Sequence, residues 1–244
     1  MTRVIAGAAG GRRLAVPGGV STRPTSDRAR EGLFGTVVSE IGSLAGKHVL
    51  DLYAGSGAIG LEALSRGARD VLMVESDAQA VAVIWANIAT VGIEGARVIR
   101  DRVERVLARP PAAPGRAAGG SDQEPPGAPG ASGAPEASGA SGTPESRDRP
   151  DRYDLVFADP PYATTVAAVT RMLSLLADGW LADDALVVVE RATRSGPVHW
   201  PPGYLPGKSR RYGEATFWYG WNGGGTVAGR TRQAPRTALP AHEE

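Results

Sequence analysis

Residues 155–162 read LVFADPPY, an apolar run that ends in an acid, two prolines and a tyrosine. Proline cannot donate to a sheet ladder, so a strand that reaches Asp159 must stop there, and the following turn is stiff. This turn presents the Asp159 carboxylate, the Pro160 carbonyl and the Tyr162 ring beyond the end of the strand. Two acceptors and an aromatic face are a set of groups that can hold an amine carried on a flat ring.

Methyl transfer to the exocyclic amino group of a nucleobase needs such a set. The lone pair of that nitrogen is delocalised into the ring, so the amine is a poor nucleophile until its hydrogens are held out of conjugation. We expect Asp159 and the carbonyl of Pro160, stiffened by the Pro161 ring, to accept those hydrogens. Tyr162 would stack on an extruded base. For this tetrapeptide alone, the alternative is a strand stop followed by a surface tyrosine.

A second candidate site is the glycine-rich loop DLYAGSGAIG of residues 51–60, which follows another apolar run. Its G-x-G-x-x-G spacing begins at Gly55, and Glu75 lies twenty residues further on, so an NAD-dependent oxidoreductase is one candidate. Asp51 argues against it, because a carboxylate ~4 Å from a pyrophosphate charge costs about 4 kcal/mol at an effective dielectric near 20. The loop therefore favours a cationic ligand.

S-adenosylmethionine is such a ligand, since it carries a sulfonium and an ammonium group. Gly55 and Gly57 would let the backbone approach its methionine part, and Asp51 would attract the ammonium group. Glu75 would accept hydrogen bonds from both ribose hydroxyls, and Asp101 from the adenine amino group. The alternative for Asp51 and Asp101 is a role in capping a turn.

Continuous apolar runs alternate with helical patterns, and this order predicts an α/β fold. Because the runs do not alternate between apolar and polar residues, we expect strands that are buried on both faces. The predicted strands are 48–53, 70–75, 96–100, 153–158 and 185–190, and the predicted helices are 59–66, 77–91 and 166–177, with Asp77 at the N-cap or in the first turn. The repeat indicates a mostly parallel sheet with helices on both faces, whose ligands bind at the carboxyl ends of the strands.

The residues before and after this alternating pattern also predict secondary structure. The segments RVIAG and RRLAV suggest a short N-terminal hairpin that carries Arg3, Arg12 and Arg13. Pro24 stops the chain from being helical before Thr25–Ser26, which can cap a helix with apolar residues at 29, 33, 37 and 41. After the fifth strand, KSRRYGEATFWYG reads as two strands joined by a tight Gly-Glu turn.

Composition divides the chain into a core and two unstructured segments. Residues 109–150 contain 31 Gly, Pro, Ala or Ser among 42 and no large apolar residue, so they cannot bury enough surface to offset the entropy of ordering. We predict a disordered insertion there, with partner docking as the alternative, and a disordered tail at 222–244. The remainder is an N-terminal hairpin and basic helix start at 1–34 and a catalytic domain at 35–221.

The net charge is only +1, but residues 1–34 carry +4, residues 191–244 carry +5 and the residues between them −8. A basic periphery around an acidic centre fits an enzyme that binds a cationic cofactor and acts on a polyanion. Composition bias is the alternative, because 25 of the 27 basic residues are Arg.

Features that the sequence lacks exclude further classes of protein and of site. The chain has no cysteine, which excludes disulfides, thiolate nucleophiles and thiolate metal sites and fits a reducing cytoplasm. The first residues lack the apolar core of a signal peptide, and no run approaches the ~18 apolar residues of a membrane span. We expect a cytoplasmic monomer that uses no metal.

Four segments together resemble one known family: STRPTSDRAREGLFG (21–35), VLDLYAGSGAIGLEALSRGA (49–68), VES (74–76) and FADPPY (157–162). They are similar to the bacterial 16S ribosomal RNA guanine-N2 methyltransferases of the RsmD type, over residues 1–108 and 151–221. The resemblance implies a Rossmann-like class I methyltransferase fold with an N-terminal hairpin and S-adenosylmethionine as the cofactor. The implied substrate is one guanine of 16S rRNA in the small ribosomal subunit, assembled or assembling.

The resemblance also implies roles for individual residues. The implied cofactor-binding residues are Asp51, Tyr53, Gly55, Gly57, Glu75, Ser76 and Asp101, with Arg23 and Thr25 in the N-terminal motif beside the pocket. The implied catalytic loop is Asp159, Pro160, Pro161 and Tyr162. Two departures stand out: Tyr53 replaces the more frequent Phe, and the compact members of the family lack the insertion at 109–150.

Two rival functions remain open from the sequence. One is methylation of another amino group, on DNA adenine or cytosine or on a protein glutamine; the acid before Pro-Pro-Tyr disfavours glutamine, where Asn is usual. The other is a non-catalytic RNA- or ribosome-binding module that keeps the fold. The presence of Asp159 together with the glycine loop argues against that module.

Overall fold

The computed structural model describes residues 2–18, 26–109 and 152–223. Within these residues the chain forms a small N-terminal hairpin and a seven-stranded sheet with helices on both faces. The helices are α1 (Asp27–Ile41), α2 (Ala58–Ser65), α3 (Ala78–Val91), α4 (Val103–Leu107) and α5 (Val166–Ala177). The strands are β1 (Thr2–Arg3), β2 (Arg13–Leu14), β3 (His48–Leu52), β4 (Asp70–Glu75), β5 (Ala96–Arg100), β6 (Tyr153–Ala158), β7 (Leu181–Ala192), β8 (Tyr204–Tyr212) and β9 (Ala215–Asn222).

The sheet has the strand order β5-β4-β3-β6-β7-β9-β8. Strands β3 to β7 are parallel, whereas β9 runs antiparallel to β7 and to β8. The chain thus moves outward from β3 to one edge and returns to β6 on its other side, which creates a crevice at the carboxyl ends of β3 and β6. The predicted Rossmann-like fold with its N-terminal hairpin is confirmed.

Alternate residues of each central strand enter two separate apolar layers. In β6, Leu155 and Phe157 pack with α1, α2 and α3, whereas Val156 and Ala158 pack with α4 and α5. All four are at most 2 % exposed, as the continuous apolar runs predicted. Burial on both faces makes the positions of these strand ends rigid, because interiors pack as densely as crystals of small molecules.

The predicted helix starts are confirmed by their caps. The Ser26 hydroxyl accepts a hydrogen bond from Ala29 N at 3.2 Å, and the Asp77 carboxylate accepts one from Ala80 N at 2.8 Å. Each side chain satisfies a backbone donor that the first helical turn leaves without a partner.

Two elements differ from the sequence prediction. The fifth strand was expected at 185–190, but β7 begins at Leu181, because Tyr153 pairs with Leu181 across a register shift before the apolar run starts. Helix α4 was not predicted, since five residues are too few to display a helical period; it is held by burial of Val103, Val106 and Leu107.

A buried carboxylate fastens the N-terminal hairpin to α2. Glu62 is fully buried and accepts hydrogen bonds from Ile5 N at 2.5 Å, from Ala6 N at 3.1 Å and from Arg66 Nε at 2.7 Å. Next to it, the Ser65 hydroxyl accepts from Ala9 N at 2.9 Å. The helix that follows the glycine loop is therefore tied to the hairpin by charge-assisted hydrogen bonds, which are the stronger kind.

The predicted insertion at 109–150 and tail at 222–244 lie outside the described residues, apart from Arg109, Asn222 and Gly223. The division of the chain into domains stays a prediction. The two flanks of the insertion meet at Trp180, whose Nε1 donates to Leu107 O at 3.1 Å and whose carbonyl accepts from Tyr153 N at 2.9 Å. Tyr153 begins β6, so the insertion joins the strand at the opposite end from Asp159.

Among the helices of the described ranges, none has the length and apolar character that crossing a bilayer requires.

Replacing Glu62 with Ala should lower the free energy of unfolding by about 2 kcal/mol or more, because it leaves two backbone N–H groups and an arginine without their acceptor. Urea unfolding followed by circular dichroism measures this change. Glu94→Ala, which removes an exposed carboxylate, is the matched control and should shift stability by less than about 0.5 kcal/mol. Equal effects of the two substitutions would contradict the fastening role of Glu62.

Candidate active site

Four carboxylates stand side by side at the carboxyl ends of adjacent strands. Glu75 ends β4, Asp51 lies in β3, Asp159 directly follows β6, and Glu190 lies near the end of β7. Neighbouring strands in a sheet are ~4.8 Å apart, so each acid has another acid on the next strand. Sequence reasoning placed three of these four residues in the site; it missed Glu190.

Register puts three of the four acids at one level. Leu52 pairs with Val74 and with Ala158, and Ala158 pairs with Val189. One residue further along each strand come Glu75, Asp159 and Glu190, whereas Asp51 precedes Leu52. Because side chains alternate between faces, all four acids point to the face covered by α1, α2 and α3, where Phe157 and Val188 also lie.

Asp51 is a buried acid whose environment disfavours its charge. The residue is only 3 % exposed, and one carboxylate oxygen accepts a hydrogen bond from Gly60 N at 2.9 Å. Burial raises the pKa of Asp51 to about 7, the Gly60 hydrogen bond opposes this rise, and the charge of Glu75 adds to it. A cation beside Asp51 would lower its pKa again and gain binding energy from the ionised form.

The glycine loop between β3 and α2 has a left-handed backbone at three positions. The φ angles are 60° at Tyr53, 57° at Gly55 and 74° at Gly57. Glycine adopts this region without strain, whereas a residue with a side chain does so at a cost of ~1–3 kcal/mol. At Gly57 an added Cβ would also lie 3.0 Å from the Met73 sulfur, a tight contact that the Met73 side chain would have to relieve by moving.

Asn87 holds the glycine loop against the N-terminal segment. This residue is 2 % exposed, and its amide nitrogen donates to Ser56 O at 2.9 Å and to Ala15 O at 3.0 Å, while its amide oxygen accepts from Ala15 N at 2.8 Å. Sequence reasoning missed it. The available signal was a polar residue on the buried stripe of α3, among Ala80, Ile84 and Val91.

Tyr53, the departure from the more frequent Phe, gains a hydrogen bond through its hydroxyl. The hydroxyl donates to Glu104 Oε1 in α4 at 3.1 Å. Burial, and then the charge of Glu104 and this hydrogen bond, raise the pKa of Tyr53 above its ordinary value. The extra oxygen therefore links the strained loop to the helix on the opposite face of the sheet.

Glu75 lies between the glycine loop and the start of α3. One oxygen accepts from Gly55 N at 2.9 Å; the other accepts from Ser76 N at 2.7 Å, from Asp77 N at 2.9 Å and from the Ser76 hydroxyl at 3.4 Å. The oxygen facing Gly55 has one such bond, and a carboxylate oxygen can accept two. Its position at the strand end leaves capacity for a hydroxyl donor.

Asp101 follows β5 and caps the turn into α4, which was the alternative considered for it. Its carboxylate accepts from Arg102 N at 2.8 Å and forms ion pairs with Arg105 at 3.3 Å and Arg109 at 3.6 Å. Its role toward a ligand stays a prediction. Arg23 and Thr25 lie outside the described residues.

Asp159 continues the pairing of β6 with β3, since its N–H donates to Leu52 O at 3.3 Å. Burial, and then the negative charges of Glu190 and Asp51, raise the pKa of Asp159 well above its ordinary value; the positive charge of Arg191 acts in the opposite direction. Asp159 and Asp51 therefore share one crevice, as the proposed chemistry requires.

The turn after Asp159 is fixed by two further hydrogen bonds. Thr164 N donates to Pro161 O at 2.8 Å, and the guanidinium of Arg191 donates to Thr164 O at 2.8 Å. Pro160 is buried, whereas Pro161 is exposed. The sequence gives no indication that Arg191 holds this turn, because a long-range contact between β7 and the turn leaves no local pattern.

A cavity of about 610 Å³ opens beside this turn. Tyr162, 47 % exposed, forms part of its wall. Burial and the charges of Asp159, Glu190 and Glu214 raise the pKa of Tyr162, and Arg194 opposes them. The other residues that line the cavity include Ser26, Arg28, Ala29, Glu190, Arg211, Tyr212, Gly213, Glu214 and Ala215.

This sheet order, with a glycine loop after β3 and an acid-proline-proline-tyrosine turn after β6, defines a Rossmann-like methyltransferase. Solved structures agree. The Escherichia coli protein yhhF, named as a candidate methyltransferase, is 26 % identical, with a TM-score of 0.66 over 91 % of this chain and 97 % of its own. A hypothetical protein of Thermus thermophilus is 29 % identical, with a TM-score of 0.61 over 90 % of this chain and 98 % of its own.

The chain belongs to the family described as conserved hypothetical protein 95, whose model matches residues 2–116 and 138–221. The unmatched residues between these ranges fall within the predicted insertion. Ribosomal RNA small subunit methyltransferase D of Escherichia coli K12 is 33 % identical over 203 residues, which cover 81 % of this chain and 80 % of that protein. The Haemophilus influenzae protein of the same name is 30 % identical over 191 residues, 77 % of each chain.

The stability of this protein should depend on pH through Asp51. Folding raises the pKa of Asp51 from 3.8 to about 7, so between these values the folded protein holds a proton that the unfolded chain has lost. The contribution of Asp51 to the free energy of unfolding therefore falls as pH rises through this range, by about 4 kcal/mol in total. Asp51→Asn should be more stable than the wild type at pH 8 and similar to it at pH 4.

Urea unfolding at both pH values measures this difference. The control is Asp183→Asn, because Asp183 is exposed and its replacement should change stability equally at the two pH values. An Asp51→Asn effect that is the same at pH 4 and pH 8 would show that Asp51 ionises normally in the folded protein.

Proposed function

We propose that this protein transfers a methyl group from S-adenosylmethionine to the exocyclic N2 amine of a guanine in 16S rRNA of the small ribosomal subunit. The observation that carries the proposal is the common crevice of Asp51 and Asp159, with the exposed Tyr162 in the adjacent cavity wall. The names of the relatives, ribosomal RNA small subunit methyltransferases, support the substrate.

The cofactor would bind over the ends of β3, β4 and β5. Asp51 would attract the ammonium group, and the backbone at Gly55 and Gly57 would lie against the methionine part without side chains in the way. Glu75 would accept from the ribose hydroxyls, with Ser76 beside it. The acids of this row favour a cation, and they disfavour a dinucleotide because a pyrophosphate would add negative charge to them.

Tyr53 and Asp101 would line the adenosine end of this pocket, and we keep Arg23 and Thr25 as candidate cofactor-binding residues. Asp101 already accepts from Arg102 N through one oxygen. Its second oxygen, 3.6 Å from the exposed Arg109, has capacity for the adenine amino group. The cofactor supplies an electrophilic methyl group, and the chain supplies the hydrogen-bond acceptors that would hold the cofactor in place.

The target base would enter the cavity beside Tyr162. Its volume, about 610 Å³, lies within the ~300–1,000 Å³ of typical ligand pockets. Stacking on Tyr162 would contribute ~1–3 kcal/mol and would offset part of the cost of extruding the base. Arg28 and Arg211, which line the same cavity, would contact the adjacent phosphates.

Asp159 and Pro160 would prepare the amine for attack. The carboxylate and the carbonyl accept its two hydrogens, which localises the lone pair on nitrogen, and the stiff Pro160-Pro161 segment fixes their direction. Holding nitrogen and methyl group in line can contribute up to ~7–11 kcal/mol. A strong base is unnecessary, since the methylated nitrogen loses its proton readily.

We further propose that the protein acts in the cytoplasm as a monomer on the small subunit or its assembly intermediate, without a metal. Within residues 2–18, 26–109 and 152–223, no three or more His, Cys, Asp or Glu side chains are arranged so that they could hold one metal ion. The deciding experiment incubates the protein with methyl-labelled cofactor and one of three acceptors: small ribosomal subunits, naked 16S rRNA or duplex DNA. We expect label in rRNA, as N2-methylguanine by mass spectrometry of nucleosides.

Label only in DNA would instead identify a DNA amino-group methyltransferase. Cofactor binding with no label in any acceptor would identify a binding module that keeps the fold.

Asp159→Ala should reduce methyl transfer about 100- to 1,000-fold, since it removes a preorganised acceptor at the reacting nitrogen. Cofactor affinity, measured by calorimetry, should remain within about threefold, because Asp159 lies on the target side of the crevice. Asp183→Ala is the control for removal of an exposed carboxylate. An active Asp159→Ala enzyme would overturn the assigned role.

Glu75→Ala should act first on the cofactor. Its dissociation constant for S-adenosylmethionine should rise about 10- to 100-fold, because hydrogen bonds to a charged group contribute ~1.5–3 kcal/mol. At saturating cofactor, transfer should recover to within about tenfold of the wild type. A defect that saturating cofactor leaves unchanged would place Glu75 outside the cofactor site.

A further inference from the structure

We propose that Glu190 selects guanine by accepting a hydrogen bond from its ring N1–H while Asp159 holds the neighbouring N2 amine. This inference rests on the proposed function, because it concerns how the same cavity recognises the target base. It assigns a specificity role to a residue that the motifs of the sequence do not include.

The placement of Glu190 follows from the sheet. Ala158 pairs with Val189, so Glu190 stands beside Asp159 at the same level, one strand further from the glycine loop of β3. Both side chains point to the face of α1, as Phe157 and Val188 do. Adjacent strands lie ~4.8 Å apart. Two carboxylates at this spacing can accept hydrogen bonds from two adjacent N–H donors on one edge of a base.

Glu190 also lines the cavity that Tyr162 borders. The residue is only 7 % exposed, so its carboxylate is largely screened from bulk water, and a hydrogen bond to a charged group is stronger in such a place than in water. Its charge raises the pKa of both Asp159 and Tyr162, which places it close to both. A base that stacks on Tyr162 and places its amine at Asp159 would therefore place the ring nitrogen beside that amine at Glu190.

The chemistry of the bases then decides which one fits. On guanine, the atom next to the exocyclic amine is N1–H, a donor. On adenine and cytosine, the corresponding ring nitrogen carries a lone pair, which a carboxylate repels. Guanine is thus the one base with an amine whose edge offers two adjacent donors to Asp159 and Glu190.

Glu190 has interaction partners within the protein, and the proposal does not require any of them to leave. A carboxylate has two oxygens with about four acceptor positions. In the proposal, the hydrogen bond from the base is added to the existing ones.

The test uses a base analogue that keeps the amine and changes only the neighbouring groups. Small subunits are reconstituted with 16S rRNA that carries guanine or 2-aminopurine at the methylated position; 2-aminopurine has the same amine, but a lone pair at N1 and no oxygen at C6. Wild-type protein should prefer guanine by about 10- to 100-fold in kcat/KM, the range expected for one well-placed recognition pair. In Glu190→Gln this preference should fall below about threefold, because the amide of Gln can donate to N1 as well as accept from it.

The matched control is Glu31→Gln, which removes one negative charge from an exposed position of α1 and should retain the full preference for guanine. Circular dichroism and the affinity for S-adenosylmethionine should match the wild type in both variants. If Glu190→Gln misfolds, Glu190→Asp supplies a second measurement: its shorter carboxylate should lower transfer to guanine while keeping the preference.

A Glu190→Gln enzyme that still prefers guanine as strongly as the wild type would overturn the role of Glu190. That outcome is distinct from failure of the proposed function, in which wild-type protein leaves the guanine of the small subunit unmethylated.

Discussion

Burial of neighbouring carboxylates, which the parallel sheet holds side by side, governs this site. Glu75, Asp159 and Glu190 stand at one level on three strands, with Asp51 between the first two. Two unit charges ~5 Å apart cost about 3 kcal/mol at an effective dielectric near 20. The sheet cannot relax this cost, since its strands are buried on both faces. Burial raises the pKa values of Asp51 and Asp159 most, and the charges of the neighbouring acids raise them further.

Such a row favours ligands that bring positive charge or N–H groups, and each part of the proposed reaction would do so. The cofactor would place its cationic centres over Asp51, and the base would present its amine to Asp159. Binding of both would relieve repulsion between these acids. The same acids explain why a nicotinamide dinucleotide, with two negative phosphates, is a poor fit to a loop that matches its glycine spacing.

The glycine loop beside this row is held by contacts from distant parts of the chain. Asn87 joins it to the N-terminal segment, Glu75 joins it to β4, and Glu62 fastens the following helix to the hairpin. The N-terminal hairpin is therefore part of the support of the site. Trp180 joins the two described flanks of the predicted insertion, since it bonds to Leu107 on one side and to Tyr153 on the other.

Local pattern predicted the central fold well: β4, β5 and β6 have the expected bounds, and α3 begins after the expected cap at Asp77. Doubly buried strands are continuous apolar runs, and this pattern needs no knowledge of neighbours. Helix α4 and the early start of β7 were missed because each depends on contacts made elsewhere: burial under the sheet for α4, and pairing with Tyr153 for β7.

The sequence by itself determined the chemical groups of the site: the acids at strand ends, the glycines that permit positive φ, and the proline pair that stiffens the turn. These follow from local chemistry, because residue type decides which groups can ionise and how freely the backbone turns. Only the tertiary structure decided that Glu190 joins the row and that Asn87 and Arg191 hold its surroundings. The physical reason is register: which residues of distant strands stand level depends on how whole strands pair and pack, and no local segment contains that information.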